Sequence, residues 1–239
     1  MRSEIARQMD HDPHFRWRGE AVTRIENLSD IVFALALGML VSASTPPTTL
    51  AMLDTHLFNI IPVALGFVFM LSVWNQHFTY FRRYGVADRR IIFFNSVLLL
   101  AILFIAYPLR FVFDSLFAFV IGQFDDFSRM GELGIATYRE AARITGYYAA
   151  GHLAIYVLIH AMYSHALRKA DVLGLNASER VMTKRSIWRH RSEMLVAIIV
   201  LYTALFTPIG PFAGFFFSFN AITTPILRLR MPLPPLSDE

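Results

Sequence analysis

The sequence contains no cysteine and comparatively little charge. Without cysteine, neither disulfide bridges nor thiolate metal sites can form, and the sequence gives no information on the redox compartment. Only 17% of the residues are charged, whereas 55% are hydrophobic and the mean hydropathy is +0.46. Water-soluble domains seldom carry such an apolar excess, so the composition indicates a protein that is solvated by lipid.

The apolar residues form six segments of about the length that a helix needs to cross a bilayer. The sequence therefore predicts an all-α integral membrane protein with six transmembrane helices. The predicted spans cover residues 28–44, 58–78, 91–109, 144–167, 193–206 and 212–227. Pro108 is expected near the end of the third span, which the following apolar stretch to Ile121 can prolong. Arg110 interrupts that stretch and is expected to extend to the membrane surface.

Arginine and lysine residues are concentrated in alternate connections, which predicts the orientation of the chain. They are frequent before the first span, between spans two and three, and at 168–191, whereas 45–57 and 207–211 contain none. Because positive residues favour the cytoplasmic side, both termini are predicted to be cytoplasmic. The predicted regions are an N-terminal segment at 1–27, a membrane domain at 28–227 and a C-terminal tail at 228–239. The basic connection can equally bind anionic lipid.

Polar residues at the start of the first span are the most informative local feature. Arg24, Ser29 and Asp30 stand before an uninterrupted apolar segment. Ser29 or Asp30 can simply cap the helix, and this interpretation is as well supported as a functional one. Alternatively, they meet polar side chains of spans two and three on the same side of the membrane. The candidates on those spans are Trp74, His77 and Asn95.

Together these residues resemble the signature of the transmembrane protein 175 family, the potassium channels of lysosomes and prokaryotes. The matching positions are Arg24, Ser29, Asp30, Trp74, His77 and Asn95. The resemblance implies a homotetramer in the cell membrane, the inner membrane of a prokaryote, with the first helix of each subunit lining a central pore. It also implies that the signature residues tie this helix to spans two and three. Leu28 and Gly38 depart from the family pattern, which usually has Phe and Thr there.

The resemblance also implies an apolar constriction of the pore at Leu35. Gly38, Met39 and Ser42 follow on the same helical face, at spacings of three, four and seven residues. A narrow ring of leucine side chains holds water poorly, so it acts as a hydrophobic gate. From the residues alone, a packing or lipid-facing leucine is the simpler interpretation of Leu35.

The leading hypothesis is therefore a potassium-permeable channel whose partners are membrane lipids, potassium and other monovalent cations. Two alternatives are an ion- or proton-coupled secondary transporter, in which Asp30 and His77 titrate, and a non-transporting membrane scaffold. No catalytic triad, carboxylate pair or phosphate-binding loop is recognisable, so we expect no enzyme activity, cofactor, metal site or nucleic-acid partner. His152, His160 and His165 lack metal-ligand spacing and are expected to be interhelical hydrogen-bond donors or interface residues.

Overall fold

The computed structural model describes residues 15–19, 21–42, 47–124 and 126–233. Over these ranges the chain is predominantly helical and contains no strand, which confirms the all-α prediction. The helices are α1 (Arg24–Ser42), α2 (Leu50–Phe58), α3 (Ile60–Tyr84), α4 (Arg89–Gly122), α5 (Ser128–Glu132), α6 (Tyr138–Arg168), α7 (Ala177–Phe206) and α8 (Asn220–Arg230). A 3-10 helix, Gly210–Phe219, joins α7 to α8.

Four segments of the described chain are long and apolar enough to cross a membrane. They are Arg24–Ser42, Met52–Tyr84, Arg89–Gly122 and Gly210–Arg230, which contain or largely overlap the predicted first, second, third and sixth spans. These segments confirm a multi-pass membrane protein. The predicted fourth and fifth spans lie within α6 and α7, which are 31 and 30 residues long but more polar. Residues 43 and 44 of the predicted first span and residues 234–239 of the predicted tail lie outside the described ranges.

The third predicted span is part of a longer helix, which includes the apolar stretch to residue 121. α4 continues for 34 residues, about 51 Å, and contains Pro108 in its interior. The prediction for Arg110 was wrong, because this residue is only 6% exposed. Its Nε donates to Asp114, one turn further along α4, at 2.7 Å. Because Asp114 pairs with Arg110, the charged side chain can be buried inside α4. The basic residue therefore does not mark a helix end.

The predicted basic connection at 168–191 is mostly helical, because α7 begins at Ala177 rather than near Glu193. Asn176 and Glu179 start the helix with a reciprocal capping box. The Asn176 side chain accepts from the Glu179 N–H at 2.9 Å, and the Glu179 carboxylate accepts from the Asn176 N–H at 2.9 Å. α7 thus consists of a polar first half, which begins at this capping box, and an apolar second half.

The described residues before α1 are fixed against the ends of α3 and α7. Phe15 is buried in the core, and the Gly19 N–H donates to the Arg82 carbonyl at 3.1 Å. A Cβ at Gly19 would lie 2.3 Å from the Phe81 carbonyl oxygen, so this close approach requires glycine. Arg18 forms an ion pair with Glu179 at 2.7 Å. The entry to α1 is thus held in place by contacts distant in sequence.

One hydrophobic core runs through α1, α3, α4, α6 and α7. It includes the fully buried side chains of Phe33, Met70, Ile102 and Ile159. Within it α6 packs against α7 and α4, whereas α1 packs against α4 and α3. α1 therefore lies at the edge of the subunit, with one face covered by its neighbours.

Candidate ion pathway along the first helix

The covered face of α1 consists of residues spaced by three and four positions. These are Glu26, Ser29, Phe33, Ala36 and Leu40, all buried. The spacing places them on one side of the helix, where small and apolar side chains allow close packing on α3 and α4. The packing fixes which side of α1 remains uncovered.

A buried chain of hydrogen bonds joins the start of α1 to α3 and α4. The Asn95 amide on α4 donates from Nδ2 to the Ser29 hydroxyl at 3.0 Å. Its Oδ1 lies 2.7 Å from Nε2 of His77 on α3. Ser29 also donates to the Ile25 carbonyl of its own helix at 2.7 Å. All three side chains are at most 2% exposed, so their polar atoms depend on one another for hydrogen bonding.

A second contact links α1 to α3 at the exposed surface of the two helices. The Trp74 indole Nε1 donates to Oδ1 of Asp30 at 2.9 Å. The Trp74 ring stacks on Phe78 one turn along α3, with ring centroids 5.4 Å apart. Asp30 is itself exposed, so its carboxylate is not part of the buried hydrogen-bond chain.

The helix cap is formed earlier than Ser29 or Asp30, both of which lie inside α1. The Glu26 carboxylate accepts from the Thr23 N–H at 2.9 Å and from the Thr23 hydroxyl at 2.8 Å, as in a capping box. Glu26 also lies 3.8 Å from Arg82 of α3. Sequence reasoning missed Glu26, although the pattern Thr-x-x-Glu was available as a signal.

Arg24 is the signature residue that makes no contact of this kind within the subunit. It is exposed, and among the described residues no hydrogen bond or ion pair is recorded for it. The separation of six residues from Asp30 does not bring the two side chains together on α1. Arg24 instead lies on the uncovered side of the helix.

The uncovered side of α1 carries a continuous stripe of exposed residues. Its members are Arg24, Leu28, Ile31, Leu35, Gly38 and Ser42, which follow one another at alternating spacings of four and three. Leu35 is 54% exposed and Ile31, one turn earlier, 66%. Met39 is half-buried at the border of the stripe. Sequence reasoning did not single out Ile31, although the same helical spacing includes it.

Gly38 has open space around it on this stripe. No atom lies within 4 Å of the position that a Cβ would occupy, so packing within the subunit does not require glycine there. Between Ile31 and Ser42 the helix contains no charged residue. The stripe is therefore an apolar surface with a hydroxyl at one end and a guanidinium at the other.

Comparison with known proteins identifies the family. The family described as endosomal/lysosomal potassium channel TMEM175 matches residues 24–106. A protein of Marivirga tractuosa named "Potassium channel" is 33% identical over 208 residues, which cover 85% of this chain and 82% of the relative. The chain belongs to the TMEM175 family. The family resemblance of the signature residues is thereby confirmed.

A solved TMEM175 structure shares the fold along nearly the whole chain. It is a threonine-to-alanine variant of the potassium channel MtTMEM175 in complex with a nanobody–MBP fusion protein. The two chains are 30% identical with a TM-score of 0.78, and the match covers 92% of this chain and 97% of the other. The stretch that matches the TMEM175 family contains α1, α3 and the first half of α4, the helices that the buried hydrogen bonds connect.

The three histidines of α6 differ in their contacts. His152 Nε2 lies 3.1 Å from Glu193 of α7, and His165 Nε2 lies 2.6 Å from Asp88 before α4, so both join different helices. His160 Nε2 lies 3.3 Å from the Ser164 hydroxyl of its own helix, and its imidazole also lies against the Ile187 backbone of α7, at the interface of the two helices. Across the part of the chain that the structure describes, no three His, Asp or Glu side chains group as metal ligands. TMEM175 proteins are a family of ion channels rather than of enzymes.

Proposed function

We propose that the chain forms a homotetrameric, potassium-permeable cation channel in the cell membrane, with α1 of each subunit lining a central pore. The exposed stripe on α1 is the observation that carries this proposal. Half-exposed Leu28, Ile31 and Leu35 belong to a helix whose other face is packed and hydrogen-bonded inside the subunit. Four such stripes around one axis form an apolar path that is accessible to a partly hydrated cation.

The proposed topology has six spans and cytoplasmic termini. In addition to the four strongly apolar segments, α6 and α7 are each long enough to cross a bilayer. Polar side chains on these two helices pair between helices, as His152 does with Glu193, which makes a membrane position tolerable. The alternation of basic connections along the sequence fits this arrangement. Residues 28–227 then form the channel domain.

We place the narrowest part of the pore at Leu35. Its side chain lies in the middle of the exposed stripe, with Ile31 one turn before it and Gly38 one turn after it. A ring of leucine side chains disfavours water in a narrow bore, whereas glycine leaves the bore wider. Gly38, Met39 and Ser42 line the path beyond the constriction. Potassium is the permeating species and not a bound cofactor.

The buried hydrogen bonds have a positioning role in this proposal. Ser29, Asn95 and His77 determine how α1 is rotated against α3 and α4, and so which residues face the pore axis. Ser29 lies on the buried face of α1, and His77 and Asn95 are buried on α3 and α4 against that face. None of the three side chains is on the exposed stripe with Leu35, so they do not contact the permeating ion.

Potassium flux from proteoliposomes tests the proposal. Leu35→Ala is expected to increase flux through purified channels, because a smaller side chain widens and hydrates the constriction. Leu100→Ala is the matched control, since Leu100 is 67% exposed but lies on α4, outside the exposed stripe of α1; its flux should equal that of the wild type. Equal flux in both variants would remove Leu35 from the pore. Flux that saturates at low turnover would favour a carrier, and no flux at all would favour a scaffold.

A further inference from the structure

A cleft rich in arginine lies away from the proposed pore, between the end of α3, the polar half of α7 and α8. Its volume is about 190 Å³, and it is lined chiefly by four arginines and two hydroxyl side chains. The lining side chains are those of Arg83, Arg185, Arg189, Arg228, Ser186 and Thr224. The cleft therefore combines residues from three helices that are distant in sequence.

None of the described residues that line the cleft is acidic. Arg185 and Arg189 are one turn apart on α7, where like charges destabilise a helix. The two acidic residues of α7 are engaged elsewhere. Glu179 pairs with Arg18 at 2.7 Å, and Glu193 with His152 at 3.1 Å. A bound anion relieves the repulsion that Arg185 and Arg189 impose on one another.

Contacts to neighbouring helices hold two of the arginines in position. Arg185 donates from Nε to the Met231 carbonyl at the end of α8, at 2.8 Å. Arg189 donates to Oε1 of Gln76 on α3 at 3.2 Å. A guanidinium has five N–H donors in a planar fork, so these bonds orient it without using its full capacity. The cleft is in this sense preorganised for an anion with several acceptor oxygens.

We infer that this cleft binds a phosphate group, and that the phosphate belongs to the headgroup of an anionic membrane lipid. Arginine forks and hydroxyl donors match the oxygens of phosphate. A volume of about 190 Å³ is well above the roughly 10–15 Å³ that one water molecule needs by the same measure, which gives room for a headgroup. Met182 and Leu227 add an apolar border. α8 ends the apolar segment Gly210–Arg230, beside which acyl chains can extend into the membrane.

Native mass spectrometry of the full-length protein measures this binding independently of ion conduction. The protein is released from detergent with phosphatidylglycerol, with phosphatidylcholine, or with inorganic phosphate alone. We expect phosphatidylglycerol to be retained in preference to phosphatidylcholine. Arg228→Gln should reduce that retention about fivefold, the effect of one cation near a membrane surface. Arg228 is exposed, so the substitution disturbs no buried contact.

Lys184→Gln is the matched control, because Lys184 is an exposed cation of α7 outside the cleft. Its retention of phosphatidylglycerol should equal that of the wild type. Retention of inorganic phosphate that Arg228→Gln abolishes would support the phosphate site and identify a free anion as the ligand. Equal losses in Arg228→Gln and Lys184→Gln, or no preference for either phosphate probe over phosphatidylcholine, would overturn the inference.

Discussion

Asn95→Leu is the substitution that most clearly tests how α1 is held. It removes the bond to the Ser29 hydroxyl and the bond to His77, while the number and branching of the side-chain heavy atoms remain the same. Ser29 keeps its bond to the Ile25 carbonyl, but Nε2 of His77 loses the partner it has in a site only 2% exposed. His77 is therefore the residue that is left with an unpaired buried polar atom.

The expected loss in the free energy of unfolding is about 1–3 kcal/mol per subunit. Hydrogen bonds between membrane helices contribute about 0.6 kcal/mol each on average, and a buried polar group without a partner costs about 1–3 kcal/mol. At about 1.4 kcal/mol per factor of ten, the unfolded fraction rises roughly five- to 150-fold. Tryptophan fluorescence during denaturation in mixed detergent micelles measures this difference.

Ser96→Ala provides the control on the neighbouring residue. The Ser96 hydroxyl is exposed and donates to the Ile92 carbonyl of its own helix at 2.8 Å, so its loss should change stability by less than about 0.5 kcal/mol. The double variant His77→Leu with Asn95→Leu should lose less than the sum of the single variants, because both partners are then apolar. If Asn95→Leu is as stable as Ser96→Ala, the buried chain does not hold α1 in place.

Two further predictions concern the exposed stripe and the segment before α1. Gly38→Thr should fold normally, since no atom lies within 4 Å of its Cβ position, and should shift the bilayer reversal potential towards potassium over sodium; an unchanged potential would contradict this. Glu179→Gln should lower stability by about 1.5–3 kcal/mol by removing the buried partner of Arg18, whereas exposed Glu132→Gln should have no effect. Burial raises the pKa of Glu179, but hydrogen bonds from Arg18 and two backbone N–H groups outweigh it and hold the pKa below its usual range. Its contribution is therefore complete above about pH 4.3 and lost as the pH falls through the depressed value, so the melting temperatures of wild type and Glu179→Gln should converge in acid.

The sequence predicted the membrane-helical class because hydropathy reports burial in lipid directly. Segment ends were less predictable, since a hydropathy pattern records only the apolar part of a helix. α7 extends from Ala177 through a polar half, for which the Asn176-x-x-Glu179 capping box was the available signal. Arg110 looked like a helix boundary because its pairing with Asp114 becomes evident only once the helix is known to continue.

Around α1, too, some contacts could be predicted from the sequence, whereas others depend on how the helices pack. The family resemblance predicted that Ser29, His77 and Asn95 act as a group, and in the structure they form one hydrogen-bonded chain. Neither periodicity nor composition indicates that Glu26 lies beside Arg82, because that contact depends on how α1 and α3 pack. The same packing decides which side of α1 is uncovered.

Thiol modification of a single introduced cysteine tests most directly whether α1 lines the ion path. The chain has no cysteine of its own, so Ser42→Cys and the matched Ser96→Cys each contain one thiol, at an exposed position of nearly unchanged size. A cationic, membrane-impermeant methanethiosulfonate reagent should abolish potassium flux through Ser42→Cys, with recovery on reduction, and leave flux through Ser96→Cys unchanged. Unaltered flux through a fully modified Ser42→Cys channel would contradict the account.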